Sequence, residues 1–437
     1  MAILAEKVIK IVSKLVNVKS NETRALAWSW LYVFALFVAY YVLRPIRDEL
    51  GVAGGIKNLP WLFSGTLLVM LLMNPVFGAL VKHYPREKFI AYAYRFFSLN
   101  LIIFVLLLNY ASPAQQIWIG RAFFIWVSVF NLFVVSVFWS LIVDVFNTEQ
   151  GKRLFGFLAA GATTGGIAGS ALTASLVTSV GQNWLLFGAI ILLEIATLSA
   201  GRLAGYQRDF TDKGSNAVTE EGKDSGIFAG LTHTFRSPYL MGIAGFVMLY
   251  TITSTFLYFE QANIAQNVFS GRAERTAFFA NIDLWVNCIT LIFQLFLTGR
   301  LTQWLGLISV LCILPVLSIV GFAALAFWPS LTMFIALQVA RRVSNFALAR
   351  PSREVLFTLV PREDRYKAKN FIDTVVYRGG DQIGSWAYAG LAAIGLTASG
   401  VALAAIPVSV IWLMIGGWLG WHQKKQKRNL ALTTDSE

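Results

Sequence analysis

The chain has 437 residues, of which 57% are hydrophobic and 14% charged, with 14 Trp and 34 Phe. This is too apolar for a water-soluble protein of such length, so it reads as a polytopic membrane protein and excludes a large soluble catalytic domain. The net charge of +13 suggests nucleic acid until the positions of the basic residues are weighed.

Residues 1–20 are expected to form a basic amphipathic helix on a membrane surface: Ile3, Leu4, Val8, Ile11, Val12, Leu15 and Val16 recur at helical spacing, with Lys7, Lys10 and Lys14 between them. No cleavable signal peptide is expected there, because a long apolar core and a small-residue cleavage site are missing. Twelve apolar stretches of spanning length follow, at 25–45, 59–81, 88–109, 116–143, 154–178, 184–203, 239–261, 276–298, 303–327, 331–358, 369–392 and 399–421. The expected plan is an all-α polytopic membrane protein with twelve transmembrane helices in two six-helix repeats. One bundle covers 21–204, a cytoplasmic connector 205–236, a second bundle 237–423 and a basic cytoplasmic tail 424–437.

Most of the 36 Lys and Arg lie in the N-terminal segment, the connectors after even-numbered spans and the C-terminal tail. Those on the opposite side are Arg44, Arg47, Lys57, Arg272 and Arg275. By the positive-inside rule both termini are cytoplasmic; a bacterial inner membrane is the expected location. The positive excess is then a topology signal, and nucleic acid is not an expected partner. Cys288 and Cys312 both fall in apolar runs, which argues against a disulfide framework or a metal cluster.

The halves resemble each other. A slide of 214 residues places Glu149 on Glu363, Phe157 on Phe371 and Gly165-Gly166 on Gly379-Gly380. A slide of 221 brings Gly78-Ala-Leu80 onto Gly299-Arg-Leu301. Parallel repeats of this kind place a binding site between them near mid-membrane. Span five carries Gly156, Gly161, Gly165, Gly166 and Gly169, which predicts close helix approach; no GxxxxGK[ST] string supports a phosphate loop.

The loop Gly78-Ala-Leu-Val-Lys-His-Tyr-Pro-Arg-Glu-Lys88 resembles the signature loop of the major facilitator superfamily, with Lys82 at the family's usual Asp position. Tyr41-Val-Leu-Arg-Pro-Ile-Arg-Asp48, Leu59-Pro-Trp61 and Asp144-Val-Phe-Asn-Thr-Glu-Gln-Gly-Lys-Arg-Leu-Phe-Gly156 resemble the ATP/ADP antiporter branch of that superfamily and its bacterial relatives. The resemblance implies a nucleotide exchanger with charged residues on spans one, four, eight and eleven. The nearest candidates for these are Arg44, Arg121 or Asp144, Asp283 and Arg378.

Five arginines stand in spans ten and eleven, where lipid tolerates none: Arg341, Arg342, Arg350, Arg353 and Arg378. Arg341 and Arg342 lie about ten residues into span ten, near mid-membrane at ~1.5 Å per residue. Asn345 follows one turn on, and Pro351 removes a helix hydrogen bond beside Arg350 and Arg353. Arg350 and Glu354 have the i, i+4 spacing of an intrahelical ion pair, and Arg378 and Asp381 the i, i+3 spacing of another. Arginine binds phosphate or carboxylate in bidentate fashion and stays charged when desolvated. Arg341, Arg342, Asn345, Arg378, Tyr377, Arg353 and Arg44 are therefore the candidate substrate contacts, while Asp283, Asp381, Asp373, Glu194, Glu260 and Asp144 are candidates for coupling or gating. Structural pairing is an equally open role for the arginines, and Tyr40, Tyr41, Tyr258, Phe346 and Tyr377 are available to stack on a base.

These residues predict a secondary active transporter of an organic anion working by alternating access. The resemblance adds a nucleotide or phosphorylated metabolite as substrate class, and exchange as the mode. The alternative is proton-coupled transport of another amphiphile, such as a lipid, siderophore or cell-wall fragment. An enzyme is not expected, because His83, His233 and His422 all fall in polar stretches and no metal or nucleophile constellation converges. No cofactor is implied, and a monomer in the lipid bilayer is the expected form.

Overall fold

The computed structural model describes residues 22–83, 86–211, 234–235, 237–360 and 368–434. The surface helix expected at 1–20 lies outside them, as do most of the 205–236 connector, the end of the basic tail and the side chains of the Gly78 to Lys88 loop. The described chain is helical. It runs through α1 (Thr23–Ala53), α2 (Leu59–His83), α3 (Arg86–Tyr110), α4 (Pro113–Val145), α5 (Thr148–Val180), α6 (Gln182–Thr211), α7 (Pro238–Val268), α8 (Arg272–Ile292), α9 (Thr298–Phe327), α10 (Leu331–Ser344), α11 (Arg350–Leu356), α12 (Tyr377–Ala393) and α13 (Ala398–Thr434). Wider π turns occupy Phe293–Leu297, Asn345–Ala349 and Ile372–Val376.

Nine segments among the described residues are long and apolar enough to cross a membrane, fewer than the twelve expected. Two physical features account for the difference. Arg272–Phe327 forms one helical run, yet Gly306 inside it sits at φ 72°, ψ 165°, outside helical space, where glycine carries no Cβ penalty. Spans ten and eleven carry Arg341, Arg342, Arg350, Arg353 and Glu354 in the one and Asp373, Arg378 and Asp381 in the other, which makes them too polar to count as membrane spans by composition.

The chain divides into two compact units. The first takes the described residues of Met1–Gly55, Leu68–Val218 and Phe269–Asn287; the second takes those of Ile56–Leu67, Thr219–Val268 and Cys288–Glu437. In the first, α1 packs on α4, α5 and α6 around fully buried Tyr32, Tyr94, Phe123, Phe130 and Phe138. The hydroxyls of Tyr32 and Tyr94 bond to each other, and Tyr94 also donates to the Val134 carbonyl at 3.2 Å. Asn147 opens α5 with a capping box, accepting from the Gln150 amide while the Gln150 side chain accepts from its own. In the second unit, α9 packs on α13, and α7 on α12 and α13, with Trp412 buried against Phe246 and Tyr250.

Glycine sets the tightest helix contacts in each unit. A Cβ on Gly165 would lie 2.7 Å from the Phe34 carbonyl oxygen, and one on Gly169 2.6 Å from that of Val38, so α5 rides on the α1 backbone. In the second unit, a Cβ on Gly380 would collide with the Thr251 hydroxyl and sit 3.1 Å from the Met248 carbonyl oxygen, and one on Gly384 3.1 Å from that of Ile252. Phe34 and Val38 fall on Met248 and Ile252 under the 214-residue slide, but the glycines match one residue later, Gly165 with Gly380 and Gly169 with Gly384. The π turn Ile372–Val376, just before Gly380, accounts for this step because a π turn holds one more residue than an α turn.

These contacts make a direct test. Gly169→Ala and Gly384→Ala should each lower the thermal midpoint in detergent, with overpacking worth about 1–3 kcal/mol. Gly156→Ala, which meets nothing within 4 Å, should not. Equal midpoints for all three would show that the glycine contacts can relax.

Candidate functional site

Ser330 caps α10 by accepting the Met333 amide at 3.2 Å, and eleven residues on the helix presents Arg341. Arg341 is 2% exposed and, among the described residues, meets no carboxylate. Neutral oxygens solvate it instead. Its Nε donates to Ser318 Oγ at 2.8 Å, one Nη to the Thr253 carbonyl at 3.2 Å and the other to Thr253 Oγ1 at 2.7 Å. Both hydroxyls are aimed by their own helices, Ser318 donating to Leu314 O at 2.7 Å and Thr253 to Leu249 O at 2.9 Å, which turns their lone pairs toward the guanidinium. The Phe322 ring lies 5.4 Å from the guanidinium carbon. Arg341 thus ties α7, α9 and α10 together, and an anion reaching it would have to displace three acceptors that its N–H groups already hold. Asn345, one turn on, is also buried, while Arg342 faces a half-buried direction.

The next π turn ends where the Arg350 amide donates to the Asn345 carbonyl, and Pro351 comes next in the first turn of α11. The Arg350–Glu354 pair expected from spacing does not form. Glu354 instead accepts from Lys369 Nζ at 2.5 Å, and the Arg350 guanidinium lies over the Phe346 ring at 4.8 Å. Arg353 pairs with Asp373 at 2.8 Å. Arg378 meets Asp381 at 3.4 Å, the i, i+3 pair read from the sequence, and Thr255 donates to the other Asp381 oxygen at 3.4 Å. Tyr377 is within 5.9 Å of the Arg378 guanidinium and 6.4 Å of the Tyr250 ring. The second unit therefore gathers Arg350, Arg353, Arg378, Asp373, Asp381 and Tyr377 where α11 and α12 begin.

Arg44 belongs to the first unit, not to this group. It pairs with Asp283 at 3.2 Å and lies 5.9 Å from the Tyr41 ring, so a proposed substrate contact and a proposed coupling acid come together as one ion pair. Arg121 donates to the Gly54 carbonyl at 3.0 Å, closing the end of α1. Glu194 and Asp144 are half-buried on α6 and α4, apart from these pairs. Glu260, on α7, accepts from the Tyr388 hydroxyl at 3.2 Å, and that hydroxyl accepts from Asn263 at 2.6 Å. Among the described residues Glu260 faces neutral partners alone.

Sequence reasoning missed Glu49. Its carboxylate is fully buried and accepts from Arg275 at 3.0 Å, Arg272 at 3.3 Å and Gln182 at 3.1 Å. The signal was the run Arg47-Asp48-Glu49 at the end of span one, whose third charge has no partner close in sequence. Lys369 reads as a connector cation by position, and its hold on Glu354 has no local signal.

The profile of the Major Facilitator Superfamily matches residues 25–337. Among curated proteins, ADP,ATP carrier protein 1 of Chlamydia muridarum is 20% identical over 92% of this chain and 89% of its own. ADP,ATP carrier protein 1 of Chlamydia pneumoniae is 20% identical over 93% and 92%. Among solved structures, a bacterial homologue of the iron transporter ferroportin in an inward-facing state superimposes with a TM-score of 0.61 at 13% identity, covering 92% of this chain and 98% of that one. The nucleoside transporter NupG gives 0.55 at 14% identity over 93% and 99%.

The Arg44–Asp283 pair is testable by a double-mutant cycle. Arg44→Gln and Asp283→Asn should each lower the thermal midpoint, corresponding to about 1.5–3 kcal/mol for a charged hydrogen bond left unmade. The double variant should recover part of that loss. Additive losses would mean the pair carries no coupling.

Proposed function

Because this chain belongs to the major facilitator superfamily and is a multi-pass membrane transporter, we propose that it moves an organic anion, with a nucleotide or other phosphorylated metabolite as the favoured class, by alternating access. The observation that carries the anion is the α10–α12 region. Arg341 and Arg350 have no carboxylate partner among the described residues, whereas Arg353 and Arg378 are matched one for one by Asp373 and Asp381. A net positive site in a membrane protein favours an anionic cargo, since an uncompensated cation is costly away from water. The same surplus favours exchange, because the loaded site is closer to neutral than the empty one. The carrier names of the Chlamydia relatives support a nucleotide as the first substrate to try.

Twelve spans in two repeats are part of this reading. The break at Gly306 supports reading Arg272–Phe327 as spans eight and nine, and the parallel glycine contacts of α1 with α5 and of α7 with α12 support the repeat. The distribution of Lys and Arg supports cytoplasmic termini. A proton-coupled mode is the second reading, favoured by the neutral surroundings of Glu260.

A thermal-shift screen of the full-length protein against nucleotides, organic phosphates, peptidoglycan fragments and siderophores tests the substrate class. ATP or ADP should raise the wild-type midpoint, and Arg378→Ala should reduce that rise. A midpoint indifferent to every nucleotide and organic phosphate sinks the favoured class. For the second reading, uptake into proteoliposomes should respond to an imposed pH gradient and lose that response in Glu260→Gln; a wild type indifferent to the gradient rules it out.

A further inference from the structure

Of the arginines in α10 to α12, Arg350 has the geometry of a receptor and Arg341 that of a structural post. Arg341 has each of its three nitrogens bonded to a fixed oxygen and is closed to solvent. Arg350 is exposed, and one face of its guanidinium is covered by Phe346 at 4.8 Å. A guanidinium held by its face keeps its N–H edges available, and those edges make the bidentate contact with a phosphate or carboxylate.

Its natural competitor is Glu354, one turn away on the same helix. Glu354 is held at 2.5 Å by Lys369, which enters from the segment preceding α12. Among the described residues the acids of α12 and the π turn before it are also engaged, Asp373 with Arg353 and Asp381 with Arg378. Tyr377 lies within electrostatic range of both Arg350 and Arg378, so the exposed cation belongs to the same cluster as the α12 pair.

We propose that Arg350 is the residue that takes the anionic group of the substrate, and that Lys369 acts as a positioning residue by holding Glu354 away from it. This rests on the organic-anion reading and assigns its charge contact. The ligand chemistry is a phosphate-type oxyanion. A soluble phosphorylated metabolite and a phospholipid headgroup both carry one, and the proposal commits to the soluble source.

The test is equilibrium binding of radiolabelled ATP to the full-length protein in detergent, with phosphatidylglycerol titrated separately against the same variants. Arg350→Gln should weaken ATP binding at least tenfold while leaving the thermal midpoint of the empty protein near that of wild type. Lys369→Met should also weaken binding, because Glu354 is released to pair with Arg350 at i, i+4. Lys369→Met combined with Glu354→Gln should restore it, a rescue that loss of fold would not produce.

Wild-type ATP binding that survives Arg350→Gln overturns the assignment and leaves the anion reading standing. Equal weakening in Lys369→Met and in the double variant overturns the positioning role. Stabilisation by phosphatidylglycerol alone, lost in Arg350→Gln, assigns the residue to lipid and overturns the substrate contact. A wild type that binds neither ATP nor any organic phosphate removes the anion reading and this assignment with it.

Discussion

A charge placed inside a lipid bilayer must be paired, solvated by the protein or opened to water, and this chain uses all three solutions within a few turns of helix. Arg353 and Arg378 are paired, with Asp373 and Asp381. Arg341 is solvated by hydroxyl and carbonyl oxygens, which cost less to bury than a carboxylate because they carry no net charge of their own. Arg350 is open. The first unit repeats the first solution with Arg44 and Asp283, and with Glu49 beneath Arg272 and Arg275. Charges that look equivalent in one dimension have thus been sorted into different physical states, and only the open state leaves a cation ready for a ligand.

That sorting depends on backbone irregularity. An unbroken α-helix from Leu331 would continue through Pro351 with a carbonyl left unbonded. The π turn at Asn345–Ala349, where the Arg350 amide donates to Asn345 O, adds a residue to the turn just before the proline and re-aims the side chains of α11. The π turn at Ile372–Val376 does the same before Tyr377 and Arg378. Behind both, ordinary packing holds the helices in place: Gly380 and Gly384 let α12 touch the α7 backbone, as Gly165 and Gly169 let α5 touch α1. The reactive stretch is irregular, and its supports are tight.

Much of this was legible in the sequence. Hydropathy gave the membrane class and most helix positions; glycine spacing gave a close helix approach at α5, though not its partner α1; and the i, i+3 spacing gave Arg378 with Asp381. The remainder depended on partners distant in sequence. Spacing alone favoured Glu354 for Arg350, because nothing local says that Lys369 will arrive beside it. Depth alone favoured Arg341 as a ligand contact, because the oxygens that satisfy it come from Thr253 and Ser318, on other helices. The one-residue step between the glycine pairs was hidden for a related reason. A π turn has no sequence signature as clear as a proline or a glycine, so a simple slide of the chain aligned the wrong neighbours.

The exchange of roles between Arg341 and Arg350 has a physical logic. A ligand contact has to form and break in each transport cycle, and a guanidinium with three fixed acceptors would have to lose them first, at a cost comparable to that of burying it unpaired. A guanidinium resting on an aromatic face loses little when an anion arrives, since the ring contact and the edge contacts use different parts of the group. The buried residue therefore suits permanence, and the exposed one suits turnover. In the proposed anion site Arg341 has a part without being the contact residue. Its charge, held without a carboxylate of its own, adds to the positive potential of the cluster in which Arg350 stands, so the fixed cation can strengthen anion binding without giving up a single hydrogen bond.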